Sequence, residues 1–416
     1  MRYEKTHIPM FYDILEDEIV LTRMIYEKCL DTFKKSCFEE IMTCSIEERE
    51  PYLAATKVHW SKIFEVRRSK ERSCYLLQSD LAMSMSRYVA QSQHASVVKL
   101  IQLGTLFRDR IDPNPDYRRG FQQILSGIWG IEHYCADVEL LFLNYEALCA
   151  IKELKNIYLQ ISNHCIFEQI FVGLTEKIRF EGIQCLEITD ISISDKKILY
   201  DLFKKGQVGL KFVKSAISKI NDMNIKNEMQ KAVDVGESIQ RVADIPIVFN
   251  LANLGGSGHY SGMNYRFYAS IDSWENQLIA DGGRIDQLCE KFNKNSHVSA
   301  VCMGIGVQVI AQHLKSLERN RVILLVEPEN DKYIEQAYCL CSKMQSWSDA
   351  GVICIKRKKW KKVFQSVLYE NVTFILLYED GNIEIRADDI NMKRKLSKYL
   401  EKENVCNETY RNNTNL

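Results

Sequence analysis

Gly104-Thr105-Leu106-Phe107-Arg108 closes one strand-like run over residues 98–108, and Arg118-Arg119-Gly120-Phe121-Gln122-Gln123 leads into a second over 121–131. Between them stands Asp112-Pro113-Asn114-Pro115-Asp116-Tyr117, whose prolines and asparagine predict a loop. Arg108 therefore sits where a strand meets a polar loop. Its side chain is planar, multidentate and always charged, which suits it to carboxylate or phosphate.

The elements on either side extend the pattern. Residues 12–35 carry Ile14, Ile19, Leu21, Met24, Ile25, Cys29 and Phe33 at helical spacing. Residues 38–44 read as a strand. Lys62–Val66 and Cys74–Leu77 read as a hairpin around a charged turn, Arg67 to Arg72. A helix is predicted through Met83–Ala90, another over 133–152, and a strand over Asn156–Ile161, with Asn163-His164 placed to cap the next helix. From about 174 to 245 the chain is charged and helical. Strand character returns at 246–252 and 262–270, around the glycine-rich turn Leu254-Gly255-Gly256-Ser257-Gly258. Beyond a break at 314–321, strands alternate with helices to about residue 402, which predicts a small domain with a largely parallel sheet. The asparagine-rich tail from Asn404 is expected to be disordered.

The totals restrict the function classes. A chain of 416 residues holds two or three domains. Lys+Arg and Asp+Glu stand at 55 each, so no general pull toward nucleic acid or anionic membrane is expected. No apolar run reaches the roughly 18 residues of a membrane span, and Met1-Arg2-Tyr3-Glu4-Lys5 opens no apolar signal core, which predicts a cytoplasmic chain. The fourteen cysteines are scattered, apart from Cys339-x-Cys341, and are expected to be mostly small core residues. His94, His133 and His164 show no metal spacing.

Several segments, in order, carry a resemblance. They are Leu77-Gln78-Ser79-Asp80 with Ser86-Arg87-Tyr88-Val89-Ala90, the two strand ends at Arg108 and Arg118–Gln123, His259-Tyr260-Ser261-Gly262, Gly282-Gly283-Arg284-Ile285-Asp286, and Ala300–Ile310. Together they resemble histidyl-tRNA synthetases, class II aminoacyl-tRNA synthetases, from the N-terminus to about residue 390. The resemblance implies an α+β fold with an antiparallel sheet flanked by helices. Its core would span 1–173 and 246–316, with a helical insertion over 174–245, a C-terminal α/β domain like an anticodon-binding module over 321–403, and the tail at 404–416.

In that family, aminoacyl adenylate formation brings a carboxylate against the ATP α-phosphate, and catalysis is mostly charge neutralisation and positioning. The resemblance gives Arg108 the α-phosphate and carboxylate. It gives Asp80 the substrate ammonium, and Gln123 and Tyr260 further places in the amino-acid pocket. Gly282, Gly283 and Arg284 complete the candidate set. Two expected cations are missing: Val309 stands for one arginine and Gly255 for another. Each loss removes roughly 3–4 kcal/mol of transition-state stabilisation, by the scale of a deleted oxyanion donor. Gly127 replaces an expected acid, Ile285 a tyrosine, and Gln78-Ser79 an Arg-Pro pair. Structural roles stay open beside these: Arg108 and Arg284 as ion-paired arginines, Asp80 as a helix cap, Tyr260 as a core tyrosine, and the Gly255 segment as a plain turn.

Erosion on the nucleotide side, with the amino-acid side kept, resembles the regulatory subunit of ATP phosphoribosyltransferase in histidine biosynthesis. That implies a non-catalytic chain with no cofactor. Its partners would be the short catalytic subunit and histidine or a similar small molecule, and its assembly a homodimer within a hetero-oligomer, without membrane or tRNA. Two alternatives compete: a divergent histidyl-tRNA synthetase or paralogue that activates an amino acid, and a tRNA-sensing pseudo-synthetase. The second would use the basic run Lys356–Lys362, otherwise a solvated face.

Overall fold

The computed structural model describes the chain apart from residues 1–7, 15, 56–61, 68–73, 93–96, 110–117, 164, 167–190, 252–259, 273, 315–320, 328–330, 347–348, 366–371, 379–382, 388 and 403–416. The hairpin tip, the proline loop, the Gly255 turn, His94, His164 and the tail lie outside the described residues. Two compact units emerge, Met1–Ser316 and Leu317–Leu416.

The first unit opens with helix α1 (Glu16–Lys34), the short strands β1 (Glu39–Glu40) and β2 (Ile46–Glu48), and helix α2 (Arg49–Ala55). Next come β3 (Glu65–Arg67), β4 (Cys74–Leu77), α3 (Leu81–Gln91), β5 (Val98–Phe107), β6 (Gly120–Trp129), α4 (Cys135–Cys149) and β7 (Lys155–Asn163). Three helices follow, α5 (Ile193–Lys205), α6 (Leu210–Ile217) and α7 (Met223–Val242). The unit closes with β8 (Ile247–Phe249), β9 (Met263–Ile271), β10 (Trp274–Arg284), α8 (Leu288–Phe292), β11 (Ala300–Ile305) and α9 (Val307–His313).

Eight strands form one sheet in the order β1-β5-β6-β11-β10-β9-β7-β8. The pairs from β5 through to β7 are antiparallel, and the two outermost pairs are parallel. Alternation along each strand sorts side chains onto two faces. On the back face, Ile101, Ile124, Ile128, Leu159, Ile161, Tyr265, Phe267, Val301 and Met303 share a core with α1, α4, α7 and α9. On the front face, Leu100, Leu125, Trp129 and Cys302 share a second core with α2, α3 and α8. Among the described residues, the helices of the predicted insertion have no separate core. Leu199, Val213, Met229 and Val233 belong to the same cluster as the back of the sheet.

Local chemistry starts these helices where they start. Asp222 accepts from the amides of Asn224 and Ile225 at 2.9 and 3.1 Å and caps α7. Buried Asp195 accepts from the amides of Asn221 and Asp222 at 2.9 and 3.0 Å, which fixes the turn before α7 onto α5.

The second unit places β12 (Arg321–Val326), α10 (Asp331–Met344), β13 (Asp349–Cys354), α11 (Trp360–Phe364), β14 (Val372–Leu377), β15 (Ile383–Arg386) and α12 (Ile390–Lys402) around a four-stranded sheet, β13-β12-β14-β15. The first three of these strands are parallel and β15 is antiparallel. Its basic run is exposed except for Trp360, which is buried and donates to the Ile355 carbonyl at 3.0 Å.

Two expectations need correction. Strand β10 is absent from the sequence reading because its first half, Trp274-Glu275-Asn276-Gln277, is polar and its end holds two glycines. The cysteines are not mostly core: of the twelve described, only Cys29, Cys289, Cys302 and Cys341 are buried. Among the described residues, no helix is long and apolar enough to cross a membrane.

Candidate ligand-binding site

Asp80 begins the site. It caps α3, accepting from the Ala82 amide at 2.9 Å. The backbone before it is held by buried Tyr52, whose hydroxyl accepts from the Ser79 and Asp80 amides at 2.8 and 3.1 Å. Arg108, at the end of β5, donates from Nε to the Ser79 carbonyl at 2.9 Å. Its guanidinium lies 5.3 Å from the Phe121 ring centre, a cation–π distance. The helix cap and the strand-end arginine are thus locked to one another through a single residue.

The centre of the site is Asp281, which the sequence reading missed. It lies on β10, directly opposite Arg266 on β9 and Gly304 on β11. Burial pushes its carboxyl above the usual range. Arg108 and Arg266 draw it down, Asp80 pushes it up, and Tyr260 supplies a hydrogen bond, leaving the net shift upward. Two carboxylates and two guanidiniums therefore share this part of the front face. Cross-strand register brings them together, and no local sequence signal reports register.

Gln123 reaches the same place across a glycine. A Cβ on Gly304 would stand 2.5 Å from the Gln123 Nε2. Tyr260, 9% exposed, packs over Gly283, where a Cβ would meet its ring at 3.0 Å. Gly282 faces the other way, against the backbone of Cys302 and Met303. These two glycines let strands and ring approach, and they offer no side chain to a ligand.

Arg284 is not part of this cluster. Alternation along β10 sends it to the back face, away from Asp281 and Gly283. There its guanidinium pairs with Asp137 of α4 through Nε and Nη2. It also donates to the carbonyls of Ile131 and His133, both at 2.8 Å. Tyr265 donates to the same Asp137 carboxylate at 2.6 Å. At 6% exposure Arg284 is a buried clamp between sheet and helix.

Other cations of the region are similarly engaged. Arg118 meets Glu18 of α1 with two bonds, at 2.8 and 2.9 Å, and Arg119 meets Asp109 at 2.9 Å. On α9, Val309 is half-buried and carries no donor. Its neighbour Gln308 accepts from the Gln122 amide at 2.9 Å and donates to Glu18 at 2.7 Å. Where an acid was expected at Gly127, a Cβ would stand 2.6 Å from the Trp129 ring and 2.7 Å from the Cys302 sulfur. That side of the pocket is closed by an indole and a thiol. Among the described residues, no three histidine, cysteine, aspartate or glutamate side chains are grouped to hold a metal ion.

The chain resembles known proteins over most of its length. It is 20% identical over 361 residues to an ATP phosphoribosyltransferase regulatory subunit of a Nostoc species, covering 81% of this chain and 87% of that one. It is 22% identical over 401 residues to a histidine–tRNA ligase of Metallosphaera sedula, covering 92% of each. A solved ATP phosphoribosyltransferase regulatory subunit/histidyl-tRNA synthetase from Bacillus halodurans superposes with a TM-score of 0.71 at 17% identity, over 90% of this chain and 99% of that one. A solved histidyl-tRNA synthetase from a Nostoc species gives 0.68 at 15% identity, over 95% of this chain and 100% of that one. These likenesses establish a class II synthetase fold. The family model of histidyl-tRNA synthetase matches residues 10–309, and the chain belongs to that family.

Proposed function

We propose that this chain is a non-catalytic regulatory subunit of ATP phosphoribosyltransferase. It binds histidine or a related small ligand through Asp80, Arg108, Gln123 and Tyr260, with Asp281 and Arg266 added to that set. The observation that carries the reading is α9. It presents Val309 where the family's nucleotide chemistry calls for a cation, and Gln308 beside it is already satisfied by Glu18 and the Gln122 amide. Arg118 and Arg119 are each engaged by a carboxylate of the chain itself. A triphosphate would have to displace those partners before it could be neutralised.

Two carboxylates, two guanidiniums, an amide and a phenol gather within one patch of sheet, a suitable lining for a small zwitterion. Occupancy would act on the catalytic subunit as a coupling free energy between two sites. A homodimer within a larger assembly is the expected form, in the cytoplasm.

Gel filtration of the purified chain mixed with a short catalytic subunit tests the partnership. Co-elution is expected, and separate elution at micromolar concentrations overturns it. The second reading, an amino-acid-activating ligase, is favoured by the ligases among the relatives. It requires pyrophosphate exchange dependent on ATP and an amino acid.

A further inference from the structure

The front of the sheet continues past Arg266 onto β7 and β8, and there it is polar although hidden from water. Gln160, Ser162 and Asn264 are 1%, 2% and 2% exposed. A covered sheet face is ordinarily apolar, so polar side chains in such a place need partners.

Three side-chain atoms of this patch lack one. Gln207 donates to Gln160 Oε1 at 3.0 Å, and Asn250 Nδ2 does so at 3.5 Å. These bonds tie three side-chain amides together, so their orientations are set jointly and each amide keeps one end facing the patch. Gln160 Nε2 is left without an acceptor, and Asn250 Oδ1 and Asn264 Oδ1 without donors. Of the seven buried side-chain atoms in this condition among the described residues, these three share one patch. Gln160 is paired in register with Arg266, and Arg266 with Asp281. Asn264 is paired with Ser162 on one side and Gly283 on the other. The patch is therefore continuous with the charged cluster. The opposite end of that cluster is closed by Trp129 and Cys302 over Gly127.

We infer that Gln160, Asn250 and Asn264 form a subsite for an uncharged planar group carrying an acceptor beside a donor. A primary carboxamide and the edge of a nitrogen heterocycle both have that chemistry. The ligand's charged end would lie at Asp281 and Arg108, and its planar end would extend over β9 toward β7. This deepens the ligand side of the proposed function and is independent of any catalytic subunit.

Calorimetric titration of the full chain alone tests it. L-glutamine and L-asparagine supply carboxamides, L-histidine supplies the heterocycle, and L-glutamate and L-leucine serve as controls. At least one of the first three is expected to bind about tenfold more tightly than both controls, the margin set by leaving buried polar groups unpaired. Whichever arm binds identifies the source. Gln160→Glu, which removes the amide donor, should abolish the preference, and the milder Asn250→Ser should reduce it while circular dichroism stays unchanged. Equal binding of controls and probes, no binding by any probe, or an undiminished preference in both variants would mean that the patch is satisfied by ordered water only. A chain that failed here yet co-eluted with the catalytic subunit would lose this subsite and keep its regulatory role.

Discussion

Asp80 holds two positions at once, cap of α3 and neighbour of Asp281, and substitution can separate them. Asparagine caps a helix as well as aspartate does, whereas alanine costs about 1 kcal/mol. Asp80→Asn should leave the denaturation midpoint within error and weaken ligand binding, while Asp80→Ala should lower both. A purely structural Asp80 would leave affinity untouched in the asparagine variant. Asp281 makes a prediction with a definite sign. Its folded-state pKa lies above the unfolded value, so its ionisation costs stability as pH rises through that window. Asp281→Asn should therefore be more stable than the parent at pH 7, and the difference should vanish below about pH 3.9, the unfolded value. Urea unfolding at several pH values measures this. At this scale Asp80, Arg108, Gln123 and Tyr260 were read as candidates because each lies near a recognisable segment. Asp281 and Arg266 were not, because only strand pairing makes them neighbours.

Strand β10 shows how an element decides what its residues can do. Taken from the resemblance alone, Gly282-Gly283-Arg284 belongs as a unit to the candidate ligand set. Read as a strand, the same three residues alternate, and Arg284 goes to α4 on the back face. Asp137→Ala would leave that guanidinium buried without its partner, and should cost about 3–5 kcal/mol in chemical denaturation. A loss below 1 kcal/mol would show that the clamp is not needed. Strand β6 carries the companion test on the front face. Gly127→Ala sets a methyl against Trp129 and Cys302 at 2.6–2.7 Å, so overpacking should cost about 1–3 kcal/mol. A neutral substitution would mean that the indole moves freely and that the pocket is not closed on that side. The strong helical and apolar periodicities gave away most other elements, including α1, β5, β6 and the alternating second unit. Short strands such as β1 and the polar start of β10 lack a periodic signal long enough to read.

For the whole molecule, the fold was written in the order of its motifs, and the family match over residues 10–309 agrees. Function is written in what those motifs omit. The back of the sheet uses its arginines internally, α9 offers Val309 and a satisfied Gln308, and the front face keeps a compact set of charges able to hold a small ligand. On the proposed function, the chain reads a metabolite and drives no adenylate chemistry. Its output on that proposal is another protein's rate. The most direct test is phosphoribosyl transfer by a short catalytic subunit, measured with and without this chain while histidine is titrated. Adding the chain is expected to change the rate or its sensitivity to histidine, and Asp281→Asn to shift the histidine dependence. An unchanged rate and an unchanged histidine response at saturating chain would contradict it.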